Sequence, residues 1–208
     1  YEESMNRFGK DAPDMRFGIE LVDITEIASK TEFRIFKEAV ENKATVRAIC
    51  APKAAEKFSR KRIEELEKEL KAQFPRVKGI FWTKIEAGKP TGGIGKFFES
   101  ELSDELLKAL KAADGDVLFA IADEEEIVFE GLGTLRLWLA KEMNLIDESV
   151  LKFVWIVDFN MFEFNTEENR WSAKHHPFTQ PNIKTLDELK NPKYVKARAY
   201  DLVLNGVE

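Results

Sequence analysis

The stretch DGDVLFAIADEEEIVFEGLGTLRLWLAKEM, residues 114–143, contains a complete turn, strand and helix. The two aspartates around Gly115 predict a turn, and the apolar run that follows them predicts a strand. Apolar residues then recur at three- and four-residue steps, which predicts a helix over 126–143. Gly131 and Gly133 weaken this helix locally and allow another segment to pack closely against it. The stretch therefore predicts a domain that mixes strands and helices.

Upstream of this stretch, the sequence predicts a helix, a loop and several strands. SRKRIEELEKELKAQF predicts an amphipathic helix that Ser59 caps and Pro75 ends. Ser103 is predicted to cap another helix over 104–112. Short helices are predicted at 1–8 and 24–30. Strands are predicted at 32–40, 43–51 and 78–87.

The glycine-rich stretch GKPTGGIGK, residues 88–96, raises the question of a phosphate-binding loop. It does not match the P-loop pattern, because Lys96 is followed by Phe97 and the first glycine is misplaced. A flexible surface loop is therefore the favoured interpretation, and a phosphate-binding loop is the minor alternative. The acidic stretch DEEE, 123–126, is interpreted as carboxylates at a helix N-terminus, where the helix dipole favours them, and not as a cation site.

Downstream of residue 152 the pattern changes. FVWIVDF, 153–159, is a nearly continuous apolar run, which predicts a strand buried on both faces with Trp155 in the core. TLDE, 185–188, predicts a capping box that opens a short helix. ARAYDLVL predicts a final strand that the pair Asn205-Gly206 ends.

Composition restricts the class of protein. The net charge of −6 gives no overall basic footprint for a nucleic-acid duplex, so such a contact has to be local. The single cysteine, Cys50, lies in an apolar run and is predicted to be buried, which fits a reducing compartment. Since no apolar run approaches about 18 residues, no membrane span is predicted.

Both histidines of the chain stand side by side in AKHHPFTQP, residues 173–181. Pro177 favours an extended backbone at His176, so His175 and His176 should point in opposite directions, one facing a pocket and the other packing against the protein. Adjacent histidines without a cysteine cluster do not fit a zinc site. From the residues alone, a ligand-binding pair and a buried structural pair both stay open.

Four segments carry a resemblance when they are taken in order. RFGKDAPDMRFGIEL, FVWIVDFNMFE, AKHHPFTQP and AYDLVLNGVE resemble the bacterial-type aspartyl-tRNA synthetases, which are class II aminoacyl-tRNA synthetases. The intervening 30–145 has the length and texture of that family's insertion (GAD) domain. Two positions depart from the family: Ala12 stands where lysine is usual, and Asn160 stands where proline is usual.

The resemblance implies an α+β fold in three parts. A GAD-like insertion domain at 17–152, with an antiparallel sheet and helices on one side, is expected between catalytic-domain segments at 1–16 and 153–208. The second segment is expected to end just before motif 3 of class II synthetases. Motifs 1, 2 and 3 are expected in the longer protein, here called the parent protein. The 208-residue chain alone is therefore expected to be inactive in aminoacylation.

The resemblance also implies roles for four residues. His175 and His176 are expected at the aspartate substrate. Asp201 and Glu208 are expected to hold magnesium together with ATP, and Glu208 is also expected to bind ATP. In an unbroken strand, positions seven apart face opposite sides, so the Asn205-Gly206 turn has to redirect the chain for the two carboxylates to converge. Without the resemblance, a simple strand-end carboxylate is the favoured interpretation of Asp201.

The implied partners are aspartate, ATP and tRNA, the tRNA being that for aspartate and possibly that for asparagine. The parent protein is expected to be a cytoplasmic homodimer with no membrane contact. The alternative is an accessory GAD-type RNA-binding module of a tRNA-dependent amidotransferase. The HHPFT and NGVE elements argue against this alternative, because the resemblance places them in the synthetase active site.

Overall fold

The residues that the structure describes form one five-stranded antiparallel sheet and two two-stranded sheets. The computed structural model describes residues 1–165 and 168–208. Within them, the α-helices are α1 (Glu2–Phe8), α2 (Thr25–Ser29), α3 (Arg34–Glu41), α4 (Arg60–Gln73), α5 (Glu101–Leu110) and α6 (Glu125–Glu142). The strands are β1 (Val22–Asp23), β2 (Thr45–Ala51), β3 (Phe81–Glu86), β4 (Lys89–Thr91), β5 (Val117–Asp123), β6 (Phe153–Val157), β7 (Phe162–Asn165), β8 (Arg170–Ala173) and β9 (Tyr200–Leu204). Short 3-10 turns lie at Gly95–Phe97, Leu186–Lys190 and Pro192–Tyr194.

Two compact units share these elements. The larger unit comprises Met5–Lys10 and Arg16–Val150, and it contains the five-stranded sheet in the order β1-β2-β5-β3-β4. The smaller unit comprises Tyr1–Ser4, Asp11–Met15 and Leu151–Glu208, and it contains the pairs β6-β9 and β7-β8. The assignment of the predicted ranges 1–16, 17–152 and 153–208 to catalytic and GAD-like domains stays a prediction.

The central strands of the larger unit are buried on both faces. In β5, Phe119 and Ile121 join a cluster with residues of α4 and α6, whereas Leu118 and Ala120 join a second cluster with residues of α2 and α5. Successive side chains of a strand point to opposite faces, so the helices cover both faces of the sheet. The α+β class and the antiparallel sheet are confirmed, but the expectation of helices on one side only is wrong.

The helix α6 is approached closely by the chain just after α1. A Cβ added at Gly133 would lie 2.5 Å from the carbonyl oxygen of Gly9, and one added at Gly9 would lie 2.5 Å from that of Phe129. Gly9 also has a φ of +66°. One turn further along α6, the fully buried Arg136 donates from Nε to the carbonyl of Ile19 at 2.8 Å. The predicted close packing against the glycines of this helix is confirmed.

The predicted helix at 59–74 is confirmed as α4. The Ser59 hydroxyl accepts a hydrogen bond from the Arg62 backbone N–H at 3.2 Å, which satisfies one of the donors that a helix start leaves open. Ile63, Leu66 and Leu70 form the buried face of the helix.

Replacement of this cap gives a first prediction. Ser59→Ala should lower the free energy of unfolding by about 1 kcal/mol, the usual effect of losing a side-chain N-cap. The matched control is Ser100→Ala, because Ser100 precedes α5 and makes no side-chain cap hydrogen bond. Urea unfolding of the 208-residue chain measures both variants, and equal effects of the two substitutions would contradict the capping role of Ser59.

The predicted strand at 32–40 is wrong, because most of it is helix α3. Phe36 is fully buried and Phe33 and Val40 pack against the same cluster, whereas Ile35 is 42% exposed. The apolar side chains that matter are thus spaced three and four residues apart, which is the helical spacing and not the alternation of a strand.

The predicted flexible loop at 88–96 is also wrong in part. Lys89–Thr91 forms β4, which pairs with β3 in a hairpin whose turn residues, Ala87 and Gly88, both have positive φ. Beyond β4, a Cβ at Gly93 would lie 1.9 Å from the Trp82 carbonyl oxygen, so the chain packs there directly on β3. The glycines serve close packing and turn geometry.

Ser103 does not cap the helix that follows. The helix α5 begins at Glu101, so Ser103 lies inside its first turn and is only 6% exposed. Three residues of helix, 101–103, precede the predicted start at 104, and the earlier Ser100 takes the N-cap position with a φ of +51°.

In the smaller unit, β6 and β9 pair as predicted strands, but one face of the pair is exposed. Ile156 and Val203 are buried, whereas Phe153 is 60% exposed and Trp155 is 58% exposed. The predicted burial of 153–159 on both faces, with Trp155 in the core, is therefore wrong.

Across the described residues, no helix has an apolar window long enough to cross a membrane.

Candidate functional site

The segment 159–161 of the smaller unit, here called the frame, is hydrogen-bonded to the chain on two sides. On one side, Met161 donates its backbone N–H to Val195 at 2.9 Å, and Ala197 donates to Phe159 at 2.8 Å. On the other side, Lys174 donates to Met161 at 3.0 Å. All of these residues except Lys174 are buried. The residue that follows Lys174 is His175, so the histidine pair begins where this frame ends.

His175 turns toward the frame. Its Nε2 lies 3.1 Å from the carbonyl oxygen of Asn160, which fits a hydrogen bond donated by the ring. Its ring meets the ring of Phe159 edge to face, with the centroids 5.8 Å apart. The side chain is half-buried. Its orientation is therefore fixed by one polar contact and one aromatic contact.

His176 turns the other way. Its Nδ1 accepts the backbone N–H of Phe178 at 3.2 Å, and the two rings meet edge to face at 4.8 Å. His176 is exposed, and Phe178 beside it is 92% exposed. The prediction that the two histidines point in different directions is confirmed. Neither ring belongs to a group of three or more metal-binding side chains among the described residues.

Asp201 and Glu208 lie on either side of a tight turn at the end of β9. Asn205 and Gly206 both have positive φ, of 52° and 85°. Leu204 and Val207 exchange backbone hydrogen bonds of 2.8 and 3.0 Å across the turn, so the chain reverses there. This is the geometry of a two-residue hairpin for which Asn-Gly is the favoured pair.

The chain reversal at 205–206 bears on whether Glu208 and Asp201 can lie on the same face of the strand pair. If the pairing of Leu204 with Val207 were continued by one residue, Glu208 would lie opposite Val203. Residues directly opposite in an antiparallel pair share a face, and positions 201 and 203 of one strand share a face as well. The turn therefore redirects the chain in the way that convergence of the two carboxylates requires. Asp201 is half-buried and Glu208 is exposed.

The four predicted site residues fall into two groups. No hydrogen bond or ion pair joins either histidine to Asp201 or Glu208 within the described residues. Likewise, no set of three or more carboxylate, histidine or cysteine side chains able to hold a metal ion lies in that part of the chain. The described residues thus offer a fixed imidazole and, separately, two carboxylates at a turn.

Two residues of the site were missed by the sequence reasoning. Asn160 supplies the carbonyl that holds His175, and its side-chain Oδ1 accepts from the Lys196 ammonium at 2.7 Å. The only sequence signal for Asn160 was its departure from the family pattern, and nothing singled out Lys196.

The pKa of a carboxyl group in the smaller unit, that of Glu188, is shifted by its hydrogen bonds. Hydrogen bonds from the backbone N–H groups of Thr185 and Lys184 lower the pKa of the Glu188 carboxyl, which forms the predicted capping box. In the larger unit, burial raises the pKa of the Cys50 thiol, and the nearby Asp116 carboxylate raises it further. Cys50 is thereby kept in the unreactive thiol form at neutral pH.

One cavity outside this region adjoins the glycine-rich stretch of the larger unit. It has a volume of about 590 Å³, and its lining includes Lys89, Lys96, Glu99 and Asp104. The charges balance, which gives no preference for an anion. The backbone N–H groups of Ile94 and Gly95 are already bonded to carbonyls, so they do not form a phosphate cradle. The minor alternative of a phosphate-binding loop gains no support.

The chain is similar to known proteins along its whole length. The GAD domain family matches residues 36–132. The aspartate–tRNA ligase of Bacillus licheniformis is 47% identical over all of this chain, which covers 35% of that relative. The aspartate–tRNA(Asp/Asn) ligase of Caldanaerobacter subterraneus subsp. tengcongensis is 44% identical, again over all of this chain and 35% of the relative. The chain thus spans about a third of the length of these curated relatives.

Proposed function

This chain belongs to the bacterial-type aspartyl-tRNA synthetases as a segment that contains the GAD domain, and we propose that its parent protein is an aspartate–tRNA ligase. The parent activates aspartate with ATP to aspartyl-adenylate and then transfers the aspartyl group to tRNA. The observation that supports this most strongly is the 47% identity, because the match extends over the whole chain and so covers the segments that hold the histidine pair and the Asn-Gly turn.

The proposed reaction needs placement more than it needs a strong acid or base. The aspartate carboxylate attacks the α-phosphorus of ATP, and pyrophosphate leaves. A tRNA terminal hydroxyl later attacks the activated carbonyl, and AMP leaves. Holding reactants in line and stabilising charge supply most of the acceleration in such a site. A side chain that is fixed before the substrate arrives is suited to this task.

His175 is the residue proposed to contact aspartate, with His176 beside it. The contacts with Asn160 and Phe159 hold the His175 ring in one orientation before any substrate binds. An imidazole either accepts from the substrate ammonium or donates to its carboxylate, depending on protonation. His176 is exposed and bonded within its own loop, so we assign it the second position at the same substrate.

The carboxylates of Asp201 and Glu208 are proposed to hold magnesium together with ATP, and Glu208 also to bind ATP. Oxygen ligands suit this ion, and one or two carboxylates suffice where phosphate oxygens and waters complete its coordination. The chain reversal at 205–206 supports a placement of both carboxylates on one side, which this proposal requires. When bound, magnesium offsets the negative charge of the phosphates.

The proposal also covers partners and domains. The tRNA is that for aspartate, and the relative from Caldanaerobacter, named for both Asp and Asn tRNA, makes asparagine tRNA a second candidate. We assign the larger unit to the GAD-like insertion and the smaller unit to the catalytic domain of a cytoplasmic homodimer. The amidotransferase alternative has less support, because the relatives described above are ligases over the full 208 residues.

Charging of tRNA tests the proposed reaction. The full-length parent should attach aspartate to a transcript of aspartate tRNA in the presence of ATP and magnesium. A transcript of asparagine tRNA, run in parallel, reports whether the parent discriminates between the two. If neither transcript is charged by an enzyme that is folded, the proposed function fails.

Substitution of Glu208 gives a second prediction. In the full-length parent, Glu208→Ala should raise KM for ATP about tenfold or more, since loss of one charged contact costs about 1.5–3 kcal/mol. Raising the magnesium concentration should recover part of this loss, while KM for aspartate changes little. Glu41→Ala, which removes an exposed carboxylate of the larger unit, is the matched control. A defect that is independent of magnesium would contradict the assigned role.

A further inference from the structure

We propose that His175 meets its substrate with Nδ1, because the protein itself occupies Nε2. The identity of the substrate as aspartate rests on the proposed function, whereas the assignment of the ring nitrogens rests on geometry alone. The main-chain carbonyl of Asn160 is the positioning group, and it lies 3.1 Å from Nε2.

The chemistry of the contact fixes the position of a proton. A carbonyl oxygen can only accept a hydrogen bond, so Nε2 must carry the hydrogen. In the neutral ring, Nδ1 is then the acceptor, and in the charged ring it is a second donor. In both states, Nδ1 is the nitrogen left for a ligand. His176 differs, because its Nδ1 already accepts the Phe178 N–H.

The carbonyl is held in place by its neighbours. The residues on either side of Asn160 are Phe159 and Met161, which are both 7% exposed and both hydrogen-bonded to the segment 195–197. The Asn160 carbonyl shares a peptide group with the Met161 N–H, so its rotation would break the hydrogen bond from Met161 to Val195 inside a packed cluster. The partner of Nε2 therefore does not move aside easily when a ligand approaches.

The side chain of Asn160 does not compete for the ring. Its Oδ1 accepts from Lys196 Nζ at 2.7 Å, so the amide is directed toward Lys196 while the carbonyl is directed toward His175. Two backbone hydrogen bonds join 159–161 to 195–197, one from Met161 to Val195 and one from Ala197 to Phe159. Neither of them uses the N–H of Asn160. The link between the carbonyl and His175 therefore depends on the main chain and not on the identity of residue 160.

Two isosteric substitutions of His175 separate the ring nitrogens in the full-length parent. Asparagine places its terminal polar atoms near the position of Nδ1, and glutamine places them near that of Nε2. We expect His175→Asn to retain at least tenfold more kcat/KM for aspartate than His175→Gln, with the difference mainly in KM. Equal losses, or the reverse order, would overturn the assignment of Nδ1. Equal melting temperatures exclude a difference in folding as the cause.

A spectroscopic measurement on the 208-residue chain tests the same point without catalysis. The chain has only two histidines, so ¹⁵N-labelled imidazole signals are assigned by comparison with His176→Gln. In the neutral ring, His175 should show the tautomer with hydrogen on Nε2, and Asn160→Ala should leave it unchanged because the carbonyl remains. The opposite tautomer would overturn the inference. This readout is independent of the substrate, so a parent inactive with aspartate would refute the proposed function while leaving the tautomer result to stand or fall by itself.

Discussion

His175→Ala in the full-length parent should lower kcat/KM for aspartate roughly ten- to hundredfold while the fold survives. A hydrogen bond to a charged group contributes about 1.5–3 kcal/mol, and each 1.36 kcal/mol corresponds to about a factor of ten in rate. The ring is half-buried and its contacts are one carbonyl and one phenyl edge, so its removal leaves no buried charge without a partner.

Steady-state kinetics with saturating ATP and varied aspartate measure this effect, and a melting curve is recorded beside them. Lys184→Ala, which changes an exposed side chain of the same unit, is the control. If His175→Ala melts early but turns over normally per folded molecule, the histidine pair is structural. In that case the assignment of His175 to the substrate is wrong.

Gly133→Ala should lower the free energy of unfolding of the 208-residue chain by about 3 kcal/mol, the upper part of the usual range for overpacking. The new Cβ would lie 2.5 Å from the carbonyl oxygen of Gly9 and 2.9 Å from its carbonyl carbon. Both are backbone atoms, so relief requires a shift of the chain segment that follows α1. Alanine favours a helix over glycine by about 1 kcal/mol, but the clash outweighs this gain.

Gly18→Ala is the matched control for this substitution. A Cβ at Gly18 would meet nothing within 4 Å, and Gly18 does not have a positive φ. This variant should be neutral or slightly more stable, because alanine lowers the entropy of the unfolded chain. Urea unfolding curves compare the two variants with the original chain. A Gly133→Ala protein as stable as Gly18→Ala would show that the close approach to Gly9 has little energetic weight.

The parts of the fold that were predictable carry their signal locally. The helix α4 has a cap at Ser59, a regular apolar face and a proline after its end, and β5 with α6 follows a clear change from strand to helical spacing. In these segments local preference and tertiary packing agree, which is why the sequence alone was sufficient.

The errors arose where short patterns were ambiguous. Over the few residues from Phe33 to Phe36, a strand and a helix can both account for the apolar positions, and the buried Phe36 decides for the helix only once the neighbouring sheet is known. Continuous apolar sequence also had two outcomes. It is buried on both faces in β5 but exposes Trp155 in β6, a difference that depends on packing.

The site was predictable only in part for the same reason. The histidine pair and the Asn205-Gly206 turn are contiguous in sequence, so their local geometry could be anticipated. The contact between His175 and Asn160 joins positions 15 apart, and that between Asn160 and Lys196 joins positions 36 apart. Contacts between such distant positions depend on how the strands and loops of the smaller unit assemble, and no local pattern encodes them.

ATP–pyrophosphate exchange tests whether the parent of this chain activates aspartate. The full-length protein is incubated with ATP, magnesium and labelled pyrophosphate, and each of the twenty amino acids is added in turn without tRNA. The proposal predicts rapid exchange with aspartate and little with the other amino acids, asparagine and glutamate included. Exchange that is absent with aspartate, or that is strongest with another amino acid, would contradict it.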